Sequence, residues 1–188
     1  MTMPSVRSLW GMAFALSLGA AISLGMARFS YGMLLPPMRE DLAWSYTLAG
    51  AMNTANAMGY LLGAMALPRM LRRWDAVQVF MTGAVLTSVF MGLSGFFTQA
   101  EPLLLQRVLA GLSSAWVFVA GGLLAARLGN LHPPSAGWLL GLYYGGTGWG
   151  IILPAWTLPP VMAQAQAQGV AHPWVWAWWW LSWSRPIL

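Results

Sequence analysis

No Asp, Glu, Lys or Arg interrupts residues 9–27, 42–68, 76–100, 108–126 or 128–184. A helix of about 20 residues crosses the roughly 30 Å of a bilayer's hydrocarbon, so each interval can hold at least one crossing. The last interval has 57 residues, room for two, and a Pro- and Gln-rich stretch divides it. Six segments are expected, at about 9–35, 47–67, 76–97, 103–128, 136–156 and 174–188. An outer-membrane barrel is excluded, because its strands are about 10 residues long and alternate strictly.

Composition agrees with an all-α integral membrane fold. Hydrophobic residues make up 59% of the chain and charged residues 7%, with mean hydropathy +0.62, where a soluble domain carries roughly a quarter charged residues. The first apolar run exceeds the usual core of about 7–15 residues in a signal peptide and leads into further segments, so it reads as the first helix. With no cysteine, disulfides and thiolate metal sites are impossible and the redox compartment stays open.

The net charge of +5 is explained by placement. With the N-terminus inside, Arg7, Arg69, Arg72, Arg73, Arg127 and Arg185 fall on the cytoplasmic side and only Arg39 outside, a positive-inside pattern. The basic surplus therefore sets topology and requires no nucleic acid. All nine basic residues are arginine, which together with the abundant Ala, Gly, Pro and Trp suggests GC-rich coding and a bacterial source.

Breakers mark the expected ends. Pro36 and Pro37 lack amide hydrogens and are expected to stop the first helix. Gly129 is a natural C-cap before Pro133 and Pro134, and residues 157–173 are expected to be an uncharged loop. Small residues recur at intervals of four, at Gly11, Ala15, Gly19 and Ser23; at Gly59 and Gly63; at Gly111 and Ala115; and at Gly137, Gly141 and Gly145. Such ridges let helices approach closely where lipid supplies little hydrophobic drive.

Two arginines lie within the apolar segments. Arg28 is eight residues before Pro36, about 12 Å from the outer end at about 1.5 Å per residue. It either snorkels to the headgroups or faces a concavity left by Gly25 and Gly32, with Tyr31 beside it. Arg107 is five residues after Pro102, about 8 Å from the same side. No acid occurs within any segment, so water, an anionic ligand, lipid phosphate or a carboxylate from elsewhere, Glu101 being the nearest, must satisfy the two. Asn53 and Asn56, three apart with Tyr60 beyond, either glue helices or line a polar cavity with Arg28. His132 and His172 have no partner at metal-ligand spacing, and the four acids, Glu40, Asp41, Asp75 and Glu101, all fall in loops. Neither a metal nor a cofactor is expected, and a membrane enzyme would have to use these scattered groups.

The run Gly25, Arg28, Phe29, Tyr31, Leu34, Leu35, Pro36, Met38 resembles the first helix of an uncharacterised bacterial branch of the major facilitator superfamily, G-x-x-R-F-x-Y-x-x-L-L-P-x-M. "RVLAGLSSA" resembles the superfamily's R-x-x-x-G motif at Arg107 and Gly111. Two motifs depart. Leu67 and Pro68 stand where the loop after the second helix normally has Asp and Arg, leaving Arg69, Arg72 and Arg73 in a shifted register. In the antiporter pattern of the fifth helix, Gly141, Gly145 and Gly150 match, while Gly146 replaces proline and Trp149 replaces glycine.

The resemblance implies the N-terminal six-helix half of a transporter that moves a small polar or anionic solute by alternating access. Arg28, Tyr31, Asn53, Asn56 and Arg107 would bind the solute, and spans 1, 2, 4 and 5 would line the cavity. Gly25, Gly32, Gly59, Gly63, Gly111, Gly141 and Gly145, with Arg72 and Arg73, would serve gating or helix packing. Transport would require a second six-helix half or another copy. The last segment, 15 residues or about 22 Å, is short of the bilayer core, so a truncated chain is expected. An inactive fragment or membrane scaffold is the alternative.

Overall fold

A computed structural model describes residues 5–183. Among them the chain forms six helical rods and no strand. The first rod runs unbroken from Val6 to Asp41 and comprises α1 (Val6–Ala20), a π-helical segment (Ala21–Phe29) and α2 (Ser30–Asp41). The others are α3 (Tyr46–Met70), α4 (Ala76–Leu93), α5 (Ala100–Leu131), α6 (Ala136–Ala167) and α7 (Pro173–Trp183). Arg185 and the end of the expected sixth segment lie outside the described residues.

Among the described residues, three helices are long and apolar enough to cross a membrane: Val6–Asp41, Ala76–Phe96 and Ala100–Leu131. The rod α3 has 25 residues and α6 has 32, so length is not what separates them. Asn53, Thr54 and Asn56 dilute the apolar character of α3, as the glycines, prolines and aromatic rings do for α6.

The helix starts are written locally. Ser5 and Ser45 accept from the amides of Ser8 and Leu48, satisfying donors that a helix N-terminus leaves open. Asp75 and Gln78 form a reciprocal capping box at the start of α4.

Three expected stops are crossed. The first rod continues through Pro36 and Pro37 to Asp41. Only one turn follows these prolines, so few backbone bonds are lost, and Leu34 and Met38 on either side of them are fully buried. The rod α6 continues through Pro154, Pro159 and Pro160 to Ala167, so residues 157–167 of the expected loop are helical. Pro154, Leu158 and Ala165 are buried along one side. The actual stop is Gly169, at φ +70°. Val170 N–H donates to Ala165 O and Gly169 N–H to Gln166 O, closing a Schellman motif. Gly129 does not cap α5, which runs on to Leu131. A Cβ there would sit 3.0 Å from that of Ala136, so the glycine serves the tight turn into α6.

Packing rests on backbone meeting backbone. A Cβ on Gly59 would strike the Val108 carbonyl, one on Gly63 that of Leu112, and one on Gly111 that of Asn56, which fixes α3 against α5. The first rod meets α6 in the same way: Gly146 lies against Ser17, Gly150 against Ala21, and Gly25 against Gly150. The ridge expected at Gly11, Ala15, Gly19 and Ser23 is only partly used. A Cβ on Gly19 would enter the Phe80 ring, whereas Gly11 meets nothing within 4 Å and Ala15 is exposed. Gly137, Gly141 and Gly145 likewise meet nothing within 4 Å. Gly146 and Gly150 are the α6 glycines turned to the first rod, so the other three lie outside that contact.

The bundle has two chemically distinct ends. Leu9, Leu128 and Leu139 cluster at one, which places Arg7 and Arg127 together, and Arg127 approaches Asp75 at 4.0 Å. Arg69 lies in the last turn of α3, and Arg72 and Arg73 in the turn leading to that same Asp75. The other end holds Trp44, Leu103 and Trp174 in one cluster, beside Arg39, Glu40, Asp41 and Glu101.

These contacts predict that Gly59→Leu or Gly111→Leu forces α3 and α5 apart and costs about 3 kcal/mol or more. Gly141→Ala should be within about 0.5 kcal/mol of the parent. Thermal unfolding midpoints in detergent would check the contrast, and equal midpoints for all three variants would contradict the packing.

Candidate functional site

The two arginines of the long apolar rods differ in environment. Arg107, on α5, is 1% exposed. Its Nη1 donates to the Ala27 carbonyl at 3.4 Å, which puts it beside the residue that precedes Arg28. Its guanidinium carbon lies 4.1 Å from the centre of the Tyr31 ring and 5.8 Å from that of Trp178. Glu101, one of its expected partners, is exposed and forms no ion pair among the described residues.

Arg28 is exposed. It lines a cavity of about 440 Å³ with Leu24, Phe29, Tyr31, Gly32, Leu35 and Asn53. Tyr60 on α3 is within electrostatic reach of Arg28 and of Tyr144 on α6. Gly32 meets nothing within 4 Å and leaves the wall open beside Arg28. Gly25 does not contribute to this concavity, because it is buried against α6. The intervening turn is π-helical, with bonds to i+5, so positions three apart no longer share a face as they do in an α-helix.

The asparagines divide in the same way. Asn53 faces the cavity, while Asn56 is buried and its Nδ2 donates to the Arg107 carbonyl at 3.0 Å. Asn56 thus ties α3 to the turn of α5 that carries the buried charge. Two further polar ties hold the bundle: Thr87 donates to Ser113 Oγ at 2.9 Å and Tyr143 to the Phe118 carbonyl at 2.6 Å.

Sequence reasoning missed the contribution of α7. Asp41 Oδ2 accepts from Trp174 Nε1 at 2.5 Å and pairs with His172 Nδ1 at 2.6 Å. This pins the start of α7 to the end of the first rod. One turn further on, Trp178 is fully buried and stacks on Tyr31 with ring centroids 6.3 Å apart. The available signal was Trp174 and Trp178 at i and i+4, which share one face of a helix.

At the opposite end, Arg69, Arg72 and Arg73 are exposed around a cavity of about 500 Å³ with Met70 and Trp74. None of the three forms an ion pair among the described residues. No group of three or more His, Asp or Glu side chains that could hold a metal occurs there either.

A helical bundle with long apolar rods is the architecture of a membrane protein. The family described as "Uncharacterised MFS-type transporter YbfB" matches residues 20–183, and the chain belongs to it. No curated protein and no solved structure matches the chain.

The split between the asparagines gives a direct test. Asn56→Leu should lower the unfolding midpoint, reflecting loss of a bond worth about 0.6 kcal/mol together with a misfit against α5. Asn53→Leu should leave the midpoint unchanged. The reverse order of midpoints would contradict the geometry.

Proposed function

We propose that this chain is the N-terminal half of a secondary active transporter that moves a small polar or anionic solute across the bacterial inner membrane by alternating access. The observation that carries this reading is Arg28, an exposed guanidinium in a concave wall that it shares with Asn53. A residue that only snorkels needs no such wall. A planar guanidinium binds a carboxylate or phosphate bidentately, and the neighbouring amide adds a second, adjustable donor and acceptor.

In this reading the first five rods cross the bilayer and α7 enters it, with the arginine-rich end in the cytoplasm, as the asymmetry between the two ends supports. A second six-helix body, from further chain or from another copy, would face the Arg28 side. The solute would sit between the two near the midplane while they rock. Among the described residues no carboxylate or histidine lines the Arg28 cavity, so any proton coupling would be supplied by that second body.

The test is flux of small mono- and dicarboxylates in proteoliposomes that contain the complete transporter. Losing a charge-assisted hydrogen bond removes about 1.5–3 kcal/mol, so Arg28→Gln should lower transport about 10- to 100-fold, and Arg28→Lys should retain more. Unchanged flux in both variants would assign Arg28 to the lipid headgroups instead.

A further inference from the structure

Arg107 has five N–H donors to place, and the protein uses one nitrogen, on the Ala27 carbonyl. Nε and Nη2 are buried without a hydrogen-bond partner among the described residues, and so are the hydroxyl of Tyr31 and Nε1 of Trp178. These groups surround one another: the guanidinium lies over both rings, and the rings stack. The cluster consists almost wholly of donors, since guanidinium and indole nitrogens cannot accept and only the phenol can do both. Its complement is a group that only accepts.

The rings alone do not balance the charge. Cation–π contacts offset only part of the cost of burying a lone ion. Water would satisfy donors but leave the positive charge in place. A carboxylate would do both, with two oxygens matched to the fork of Nε and Nη2.

Tyr31 supplies the route. The ring that covers Arg107 also lines the Arg28 cavity. We infer that Arg107 is an inner carboxylate subsite closed by Tyr31, which an anion held at Arg28 reaches when the phenol ring swings aside. The inference rests on the solute reading of Arg28 given above and adds an order of events to it. Capture occurs at the exposed arginine and transfer at the buried one. Trp178, held in register by the bond from Trp174 to Asp41 one turn away, forms the fixed back wall.

Site-resolved labelling with the arginine reagent phenylglyoxal, read by mass spectrometry on the full chain in nanodiscs, tests this with acetate as the probe anion. In the parent, Arg28 should label quickly and Arg107 about tenfold or more slowly, because labelling waits on a local opening. Acetate should slow both. Tyr31→Phe keeps the ring and should behave as the parent, while Tyr31→Ala should bring Arg107 close to the rate of Arg28. If Tyr31→Ala does not fold, the acetate effect on slow labelling of Arg107 in the parent decides alone. Arg107 labelling as fast as Arg28 in the parent, staying inert in folded Tyr31→Ala, or ignoring acetate while Arg28 is protected would each overturn the inner subsite and leave the Arg28 reading intact. Loss of acetate protection at both residues would overturn the two together.

Discussion

Helix axes in this bundle come close enough for backbone to touch backbone, and everything else is positioned by that approach. Lipid gives little hydrophobic reward for bringing helices together, so dispersion contact between glycine-faced surfaces has to hold them. Gly59, Gly63 and Gly111 close α3 onto α5, while Gly25, Gly146 and Gly150 close the first rod onto α6. With those two seams fixed, the turn of α5 bearing Arg107 is pressed against Ala27, and the next residue along the first rod, Arg28, is left on the open side.

The result is an asymmetric pair of charges. One guanidinium is exposed on the open side of the bundle and the other is enclosed by aromatic faces and a single carbonyl. The π-helical segment contributes directly, because its wider turn changes which residues of the first rod face α6 and which face outward. Wide turns of this kind recur at functional sites. The pinning of α7 by Asp41 adds a second layer: it fixes Trp178, Trp178 backs Tyr31, and Tyr31 separates the two charges.

Much of this architecture was legible in the sequence, and the parts that were not share a cause. Uncharged intervals located the rods because charge is costly in hydrocarbon wherever it occurs. Spacing left open whether Asn53 and Asn56 glue helices or line a cavity with Arg28, and the pair divides, Asn53 onto the cavity and Asn56 onto α5. Helix ends at proline were misjudged, since burial of Leu34, Met38 and Leu158 outweighs a few missing backbone bonds, and no local rule contains that term. The burial of Arg107 was hidden because α5 is apolar almost all round, so its sequence does not say which sector meets a neighbour. The pairing of Asp41 with Trp174 and His172 spans more than 130 residues, a separation at which neither periodicity nor capping carries information. The open glycines of α6 were misassigned for a related reason: two interleaved sets occur on one helix, and only the neighbour identifies which set is in contact.

The central claim is that the face bearing Arg28 meets water and not lipid. The chain has no cysteine, so single cysteines can be read without background. Thiols react with charged methanethiosulfonates as hydrated thiolates, which makes the reagent a probe for water. The account predicts fast modification of Asn53→Cys and Gly32→Cys in the membrane-embedded protein and none of Val85→Cys, an exposed position on α4 away from the cavity. Equal lack of reaction at all three positions would contradict it, because the concave wall would then be filled with hydrocarbon.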